Sequence, residues 1–271
     1  MTLARKLDAL VKERSQNNSG LYKYSNKEVE TDIRLQQRFH KLRGVSKLQK
    51  SIVRQNMHNA MSPLSAISGY LELINMSLGS EESAEKIGYY KEQIEHGIHE
   101  VNSILEQLHG LYTDETDTTD QEEDVSLDVD INWLVNEVLR TVNMHAESYE
   151  TELTDYPLYV SVDLFIAKLI VFELVNYARK CSMKSDSLKL MTHQQGKFVN
   201  FTIQFNTTEQ KKSEIASLIA DIKNEDSEIS NSFNEGLISS KELAGQLNGT
   251  LSFLSVQDGE ARLTLTLPIS F

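Results

Sequence analysis

Hydrophobic side chains between residues 53 and 111 recur in alternating steps of four and three. The first series is Val53, Met57, Ala60, Leu64, Ile67, Leu71, Ile74 and Leu78, and the second is Ile87, Tyr90, Ile94, Gly97, Val101, Ile104, Leu108 and Leu111. This heptad spacing, interrupted by the polar turn "GSEES", predicts an antiparallel helical hairpin. Since two such seams bury little surface alone, we expect two copies of the chain to form a four-helix bundle through residues 45–112.

The first helix of this hairpin contains a proline, Pro63, in its interior. A proline there removes a backbone hydrogen bond and costs roughly 3 kcal/mol. His58 lies five residues earlier and directly follows the seam residue Met57, which predicts an imidazole on the flank of the bundle, facing solvent. A neutral, exposed imidazole is a nucleophile that can attack phosphorus at physiological pH.

The hydrophobic pattern changes after residue 112. Residues 113–124, "TDETDTTDQEED", contain seven carboxylates and no basic residue, so they cannot join a core. Beyond them the pattern predicts strands near residues 127–130 and 158–162, at "SLKLMTH" and "FVNFTIQF", and at "GTLSFLSV" and "ARLTLTLPI". Helices are predicted at about 132–145, 163–181, 209–224 and 236–247. We therefore expect an α/β sandwich, with one mostly antiparallel sheet faced by helices on one side.

These patterns divide the chain into four predicted segments. An N-terminal helix and connector cover residues 1–27, the dimerisation hairpin covers 28–112, an acidic linker covers 113–125, and the α/β domain covers 126–271. The formal charge of −13 argues against a nucleic-acid partner, because phosphate binding requires clustered basic residues. A single cysteine, Cys181, and the lack of a long apolar run lead us to expect a cytoplasmic protein without membrane insertion or a structural metal site.

The segment around the histidine resembles the dimerisation and phosphotransfer helix of sensor histidine kinases. Its residues are His58, Asn59, Ala60, Met61, Ser62, Pro63 and Leu64. The resemblance implies that His58 is the phosphoacceptor and that Pro63 loosens the helix beside it. It also implies an auxiliary hydrogen-bonding role for Ser62. The family has an acid, thought to be the general base for autophosphorylation, where this chain has Asn59.

The α/β domain resembles the ATPase domain of the same kinases, which shares its fold with gyrase and the heat-shock chaperone ATPases. In "ELVNYARK", Tyr177 occupies the position of the family's Mg²⁺-binding asparagine. Phe205 replaces the aspartate that binds adenine, and Thr207 replaces a following glycine. The other degenerate nucleotide positions are Glu173, Lys180, Asn234 and Gly236. These departures imply that the chain binds neither ATP nor Mg²⁺, and that a partner receiver domain supplies the metal.

The resemblance leaves three functions open. The first is a phosphorelay histidine phosphotransferase, similar to bacterial phosphotransferases, which passes a phosphoryl group between His58 and the aspartate of a response-regulator receiver. The second is a pseudokinase scaffold that regulates a response regulator or a kinase without carrying phosphate. The third is an atypical active kinase that uses Glu173 and Lys180. Whether the chain is an enzyme therefore stays open at this point.

Overall fold

The structure is a computed structural model that describes residues 3–77, 83–112, 127–142, 149–183, 188–220, 232–255 and 259–270. Side chains are described from residue 34 onward, except those of residues 83, 220 and 232–234. The chain forms two compact units, Met1–Arg43 and Gly44–Phe271. The predicted acidic linker lies outside the described residues.

Two long helices form the predicted hairpin. Helix α1 spans Leu3–Ser77 and contains Pro63, and helix α2 spans Ser83–Tyr112. Helix α1 continues through residue 27 without a break, where the sequence suggested a connector. The second heptad series is buried or half-buried along α2. Helix α1 instead shows two columns: Ala60, Ile67 and Ile74 are half-buried, whereas Met57, Leu64 and Leu71 are exposed.

The two helices approach each other closely at the level of the proline. Gly97 of α2 is buried, and a Cβ atom added there would lie 2.8 Å from Ile67 Cγ1 and 3.4 Å from the Pro63 carbonyl oxygen. Pro63 is itself buried. The absent side chain of Gly97 therefore allows α2 to pack directly against the proline turn of α1.

The remaining elements form the α/β domain. The strands are β1 (Leu127–Asp130), β2 (Tyr149–Glu152), β3 (Tyr159–Val162), β4 (Leu188–Gln195), β5 (Phe198–Asn206), β6 (Thr250–Ser255) and β7 (Glu260–Pro268). The helices are α3 (Ile131–Thr141), α4 (Leu164–Cys181), α5 (Glu209–Ala220) and α6 (Ser232–Gln246). Helix α4 begins where the Asp163 side chain accepts a hydrogen bond from the backbone N–H of Ile166, an N-cap that the sequence "DLFI" favours.

The strands form two sheets rather than the single sheet expected from the sequence. The larger sheet has the order β2-β4-β5-β7-β6, and only its β2–β4 pair is parallel. Strands β1 and β3 pair separately as an antiparallel ribbon. The sequence analysis missed β2 because its residues, "YETE", show no hydrophobic alternation and are mostly exposed at the sheet edge. The fold class, a helical hairpin followed by an α/β sandwich, is confirmed.

One hydrophobic core joins the foot of the hairpin to the α/β domain. Strand β7 alternates buried and half-buried residues, so one face of the sheet packs against the helices. Leu48 and Ile52 of α1 and Leu111 of α2 are fully buried in the same cluster as the sheet and α4. The lower hairpin and the α/β domain therefore form a single packed body, which positions α4 beside the histidine helix.

Candidate functional site

Helix α4 lies along the hairpin and rises toward the level of His58. Near its start, Lys168 Nζ donates a 2.9 Å hydrogen bond to the Gly110 carbonyl, and the ring of Phe165 lies 6.3 Å from that of Tyr112. Its second half faces α1 across a small polar cleft. The cleft is lined by Ile52, Gln55, Asn56 and Asn59 of α1 and by Phe172, Glu173, Asn176 and Arg179 of α4. The C-terminal end of α4 is thus level with Asn59.

His58 and Ser62 are both exposed on α1, immediately beside this cleft. They are four residues apart, so they lie on one face of the helix. Each also lies three residues from a cleft residue, since His58 follows Gln55 and Ser62 follows Asn59 at that spacing. The structure therefore brings the two sequence-predicted residues together on the flank of the hairpin, next to the α/β domain.

Glu173 carries a carboxyl group into the interior between α4 and α6. It is only 2% exposed, and a Cβ atom added to Gly236 would collide with its Oε1. Burial raises the pKa of Glu173 to about 7, although the nearby Lys180 ammonium acts in the opposite direction. Desolvation lowers the pKa of Lys180 to about 8, and the Glu173 charge partly offsets that effect. The two residues form a coupled, poorly solvated pair.

The side chains that the sequence analysis assigned to degenerate nucleotide positions are packed in the interior where the structure describes them. Tyr177, Phe205 and Thr207 are each at most 3% exposed. Thr207 Oγ1 donates a 2.6 Å hydrogen bond to the Cys181 carbonyl, which ties the end of β5 to the end of α4. Burial raises the pKa of Tyr177 above its ordinary value and that of the Cys181 thiol to about 11. The side chain of Asn234 lies outside the described residues.

Three features of this site escaped the sequence analysis. Arg54 forms a 3.2 Å ion pair with Glu235 of α6. Asn176 Oδ1 is buried and has no hydrogen-bond partner among the described residues. Arg179 extends from the last turn of α4 to the cleft. No sequence signal links Arg54 to a residue 181 positions away, whereas Arg179 follows Asn176 at helical spacing and could have been assigned to the same face.

Solved structures resemble this chain at low sequence identity. A structure described as a bacterial phosphotransferase shares 13% identity and a TM-score of 0.50, covering 80% of this chain and 95% of that one. The Acinetobacter baumannii histidine kinase AdeS shares 18% identity and a TM-score of 0.41, covering 79% and 98%. The histidine kinase domain of the E. coli osmosensor EnvZ shares 16% identity and a TM-score of 0.44, covering 56% and 94%.

The sequence matches no protein-family model and no curated protein. The chain nevertheless shares its fold, a helical N-terminal region followed by a mixed α/β domain, with the structure described as a bacterial phosphotransferase. Among the described residues, no helix combines the length and apolar character that crossing a lipid bilayer requires.

Proposed function

We propose that this chain is a two-component histidine phosphotransferase that exchanges a phosphoryl group between His58 and receiver-domain aspartates without using ATP. The observation that carries the proposal is the contrast between the exposed phosphoacceptor position and the buried nucleotide positions. His58 is exposed on the hairpin, ready for a partner, whereas Tyr177 and Phe205 are buried where the kinases have a metal-binding asparagine and an adenine-binding aspartate. The similarity in fold to a bacterial phosphotransferase supports the same reading.

The proposed reaction needs little from the chain beyond an accessible nucleophile that is held in line with the phosphorus–oxygen bond that breaks. A ring nitrogen of His58 attacks the phosphorus of an aspartyl phosphate, the bond from phosphorus to the carboxyl oxygen breaks, and the aspartate leaves as a carboxylate. The ring proton is released to water. The receiver supplies its own acidic pocket and Mg²⁺, and Ser62 offers a hydroxyl beside the transferred group. The reverse sequence returns the phosphoryl group to a second receiver.

The proposal includes a homodimer, because the hairpin presents an uncovered hydrophobic column. Met57, Leu64 and Leu71 recur every seven residues on α1 and are 64%, 50% and 49% exposed. The column made by Ala60, Ile67 and Ile74 is half-buried within the single chain. A second hairpin packed on the open column would complete a four-helix bundle with knobs-into-holes contacts.

The proposal is tested by measuring the transfer of phosphate to the chain from two donors. Purified protein is incubated with γ-labelled ATP and Mg²⁺, and separately with a panel of phosphorylated receiver domains, and acid-labile label on the chain is scored. We expect label from at least one receiver and none from ATP. His58→Ala should abolish the label, whereas His99→Ala, which alters an exposed histidine of α2, should leave it unchanged.

Two results would contradict the proposal. Label from ATP on the wild type but not on His58→Ala would identify an active kinase with an unrecognised nucleotide site. A chain that binds a receiver and changes its phosphorylation equally well with His58→Ala would be a pseudokinase scaffold.

A further inference from the structure

Arg179 is an exposed cation in the last turn of α4. Within the described part of the chain, its guanidinium forms no ion pair and no hydrogen bond to another side chain. The cleft walls desolvate the guanidinium and lower its pKa, although the residue as a whole remains exposed. Lys180, the next residue, adds a second positive charge and already interacts with Glu173. This concentration of positive charge stands in a chain whose formal net charge is −13.

The position of Arg179 places this charge beside the histidine helix. The residue lines the cleft together with Gln55 and Asn59. His58 lies between these two residues in sequence and is a surface neighbour of Gln55 at i,i+3 spacing. The contacts of Phe165 and Lys168 with the foot of the hairpin fix the start of α4, so its last turn is held at the level of the histidine. Arg179 therefore lies in a cleft whose α1 wall includes Gln55 and Asn59, the residues that neighbour His58 and Ser62 on the helix surface.

We propose that Arg179 contacts the phosphoryl group on His58, so that the α/β domain contributes directly to the phosphotransfer site. This inference rests on the proposed function, because it requires His58 to carry phosphate. A planar guanidinium matches the geometry of phosphoryl oxygens and can donate two parallel hydrogen bonds to them. A partly desolvated guanidinium interacts with the negatively charged phosphoryl group more strongly than a fully hydrated guanidinium does. The chain thus stabilises the negative charge that arrives at the imidazole.

A small phosphoryl donor tests this contact without an identified receiver. Phosphoramidate transfers its phosphoryl group when a ring nitrogen of His58 attacks phosphorus and the bond to the ammonium nitrogen breaks. Ammonia leaves with that electron pair, and the ring proton passes to water. The rate of formation and the lifetime of acid-labile phosphohistidine are measured for the wild type, Arg179→Gln, Arg179→Lys, Arg140→Gln and His58→Ala. Arg140 is the matched control, because it is an exposed arginine whose 3.6 Å ion pair with Glu137 lies within α3.

We expect Arg179→Gln to slow phosphorylation of His58 by about tenfold or more, since it removes a charged donor from the transferred group. Arg179→Lys should recover part of the rate, and Arg140→Gln should match the wild type. All variants should keep the wild-type circular dichroism spectrum and thermal midpoint, because Arg179 is exposed at the last turn of α4.

The inference and the proposed function fail in different ways. A wild-type rate for Arg179→Gln, or a rate for Arg179→Lys no higher than that for Arg179→Gln, would overturn the role of Arg179 and leave His58 as the phosphoacceptor. Equal phosphorylation of wild type and His58→Ala, or none of either, would overturn the phosphotransfer proposal itself.

Discussion

Glu173 is a buried carboxyl group whose packing gives it a structural role. In the sequence it is one of the degenerate nucleotide positions and a candidate ligand of an atypical kinase. In the structure its carboxyl group is packed against Gly236 with almost no solvent contact. Burial favours the protonated form, so the pKa of about 7 means that the folded protein holds this proton at a pH where an unfolded chain has released it.

Glu173→Gln should therefore make stability less dependent on pH. Between about pH 4.5 and pH 7 only the folded state keeps the Glu173 proton, so the contribution of this group to the free energy of unfolding falls as the pH rises. The total loss is on the order of 3 kcal/mol for a pKa change of this size. We expect urea denaturation at a series of pH values from 4.5 to 7.5 to show a smaller decline for the variant than for the wild type.

Glu106→Gln serves as the control, because Glu106 is exposed on α2. The free energy of unfolding of Glu106→Gln should vary with pH as that of the wild type does. Parallel profiles for Glu173→Gln and the wild type would show that Glu173 does not hold a proton in the folded state.

At the scale of elements, the approach of α2 to the proline turn of α1 depends on one glycine. Gly97→Ala would insert a Cβ atom 2.8 Å from Ile67 Cγ1, so the helices must separate or repack. We expect a loss of about 1–3 kcal/mol in the free energy of unfolding, the usual cost of overpacking. Gly88→Ala, on the same helix with no atom within 4 Å of the added Cβ, should instead stabilise the protein by about 0.5–1 kcal/mol. Equal effects in thermal denaturation would show that α2 does not pack closely at Gly97.

Sequence periodicity predicted the elements whose burial is one-sided and regular. The hairpin, α4 and strands β5 and β7 all carry strong helical or alternating patterns, and these elements formed where expected. Sequence periodicity did not predict strand β2, because an edge strand that is paired on one side needs no hydrophobic repeat. The exposed flank of the helix was predicted for His58, but the cleft beside it was not. Its walls come from α1 and α4, and local patterns do not specify how distant helices pack.

At the scale of the whole molecule, the lower hairpin and the α/β domain share one core rather than meeting at a polar hinge. Besides the buried side chains of both, polar links cross between them, including those from Lys168 to Gly110 and from Arg54 to Glu235. Close packing also occurs at Gly44, where an added Cβ atom would lie 3.0 Å from Leu243 of α6. We therefore expect residues 44–56 and α4 to unfold together.

Leu48→Ala tests this shared core. Leu48 is fully buried, so its truncation should cost about 2–5 kcal/mol. Amide hydrogen exchange should show protection falling in the foot of the hairpin and in α4 to a similar extent. Leu254→Ala, at a leucine of β6 that is 58% exposed, should change both measurements little. Loss of protection confined to the hairpin would mean that the two parts open independently.

The burial of Tyr177, Phe205 and Thr207 also limits which substitutions this region tolerates. Asparagine at position 177 alone would leave a carboxamide and a cavity in a packed interior, and aspartate at position 205 alone would bury a charge. Each step would cost several kcal/mol, a large share of the 5–15 kcal/mol that typically holds a domain together. Under the proposed function, single substitutions toward the kinase pattern at these positions should therefore yield poorly folded protein rather than nucleotide binding.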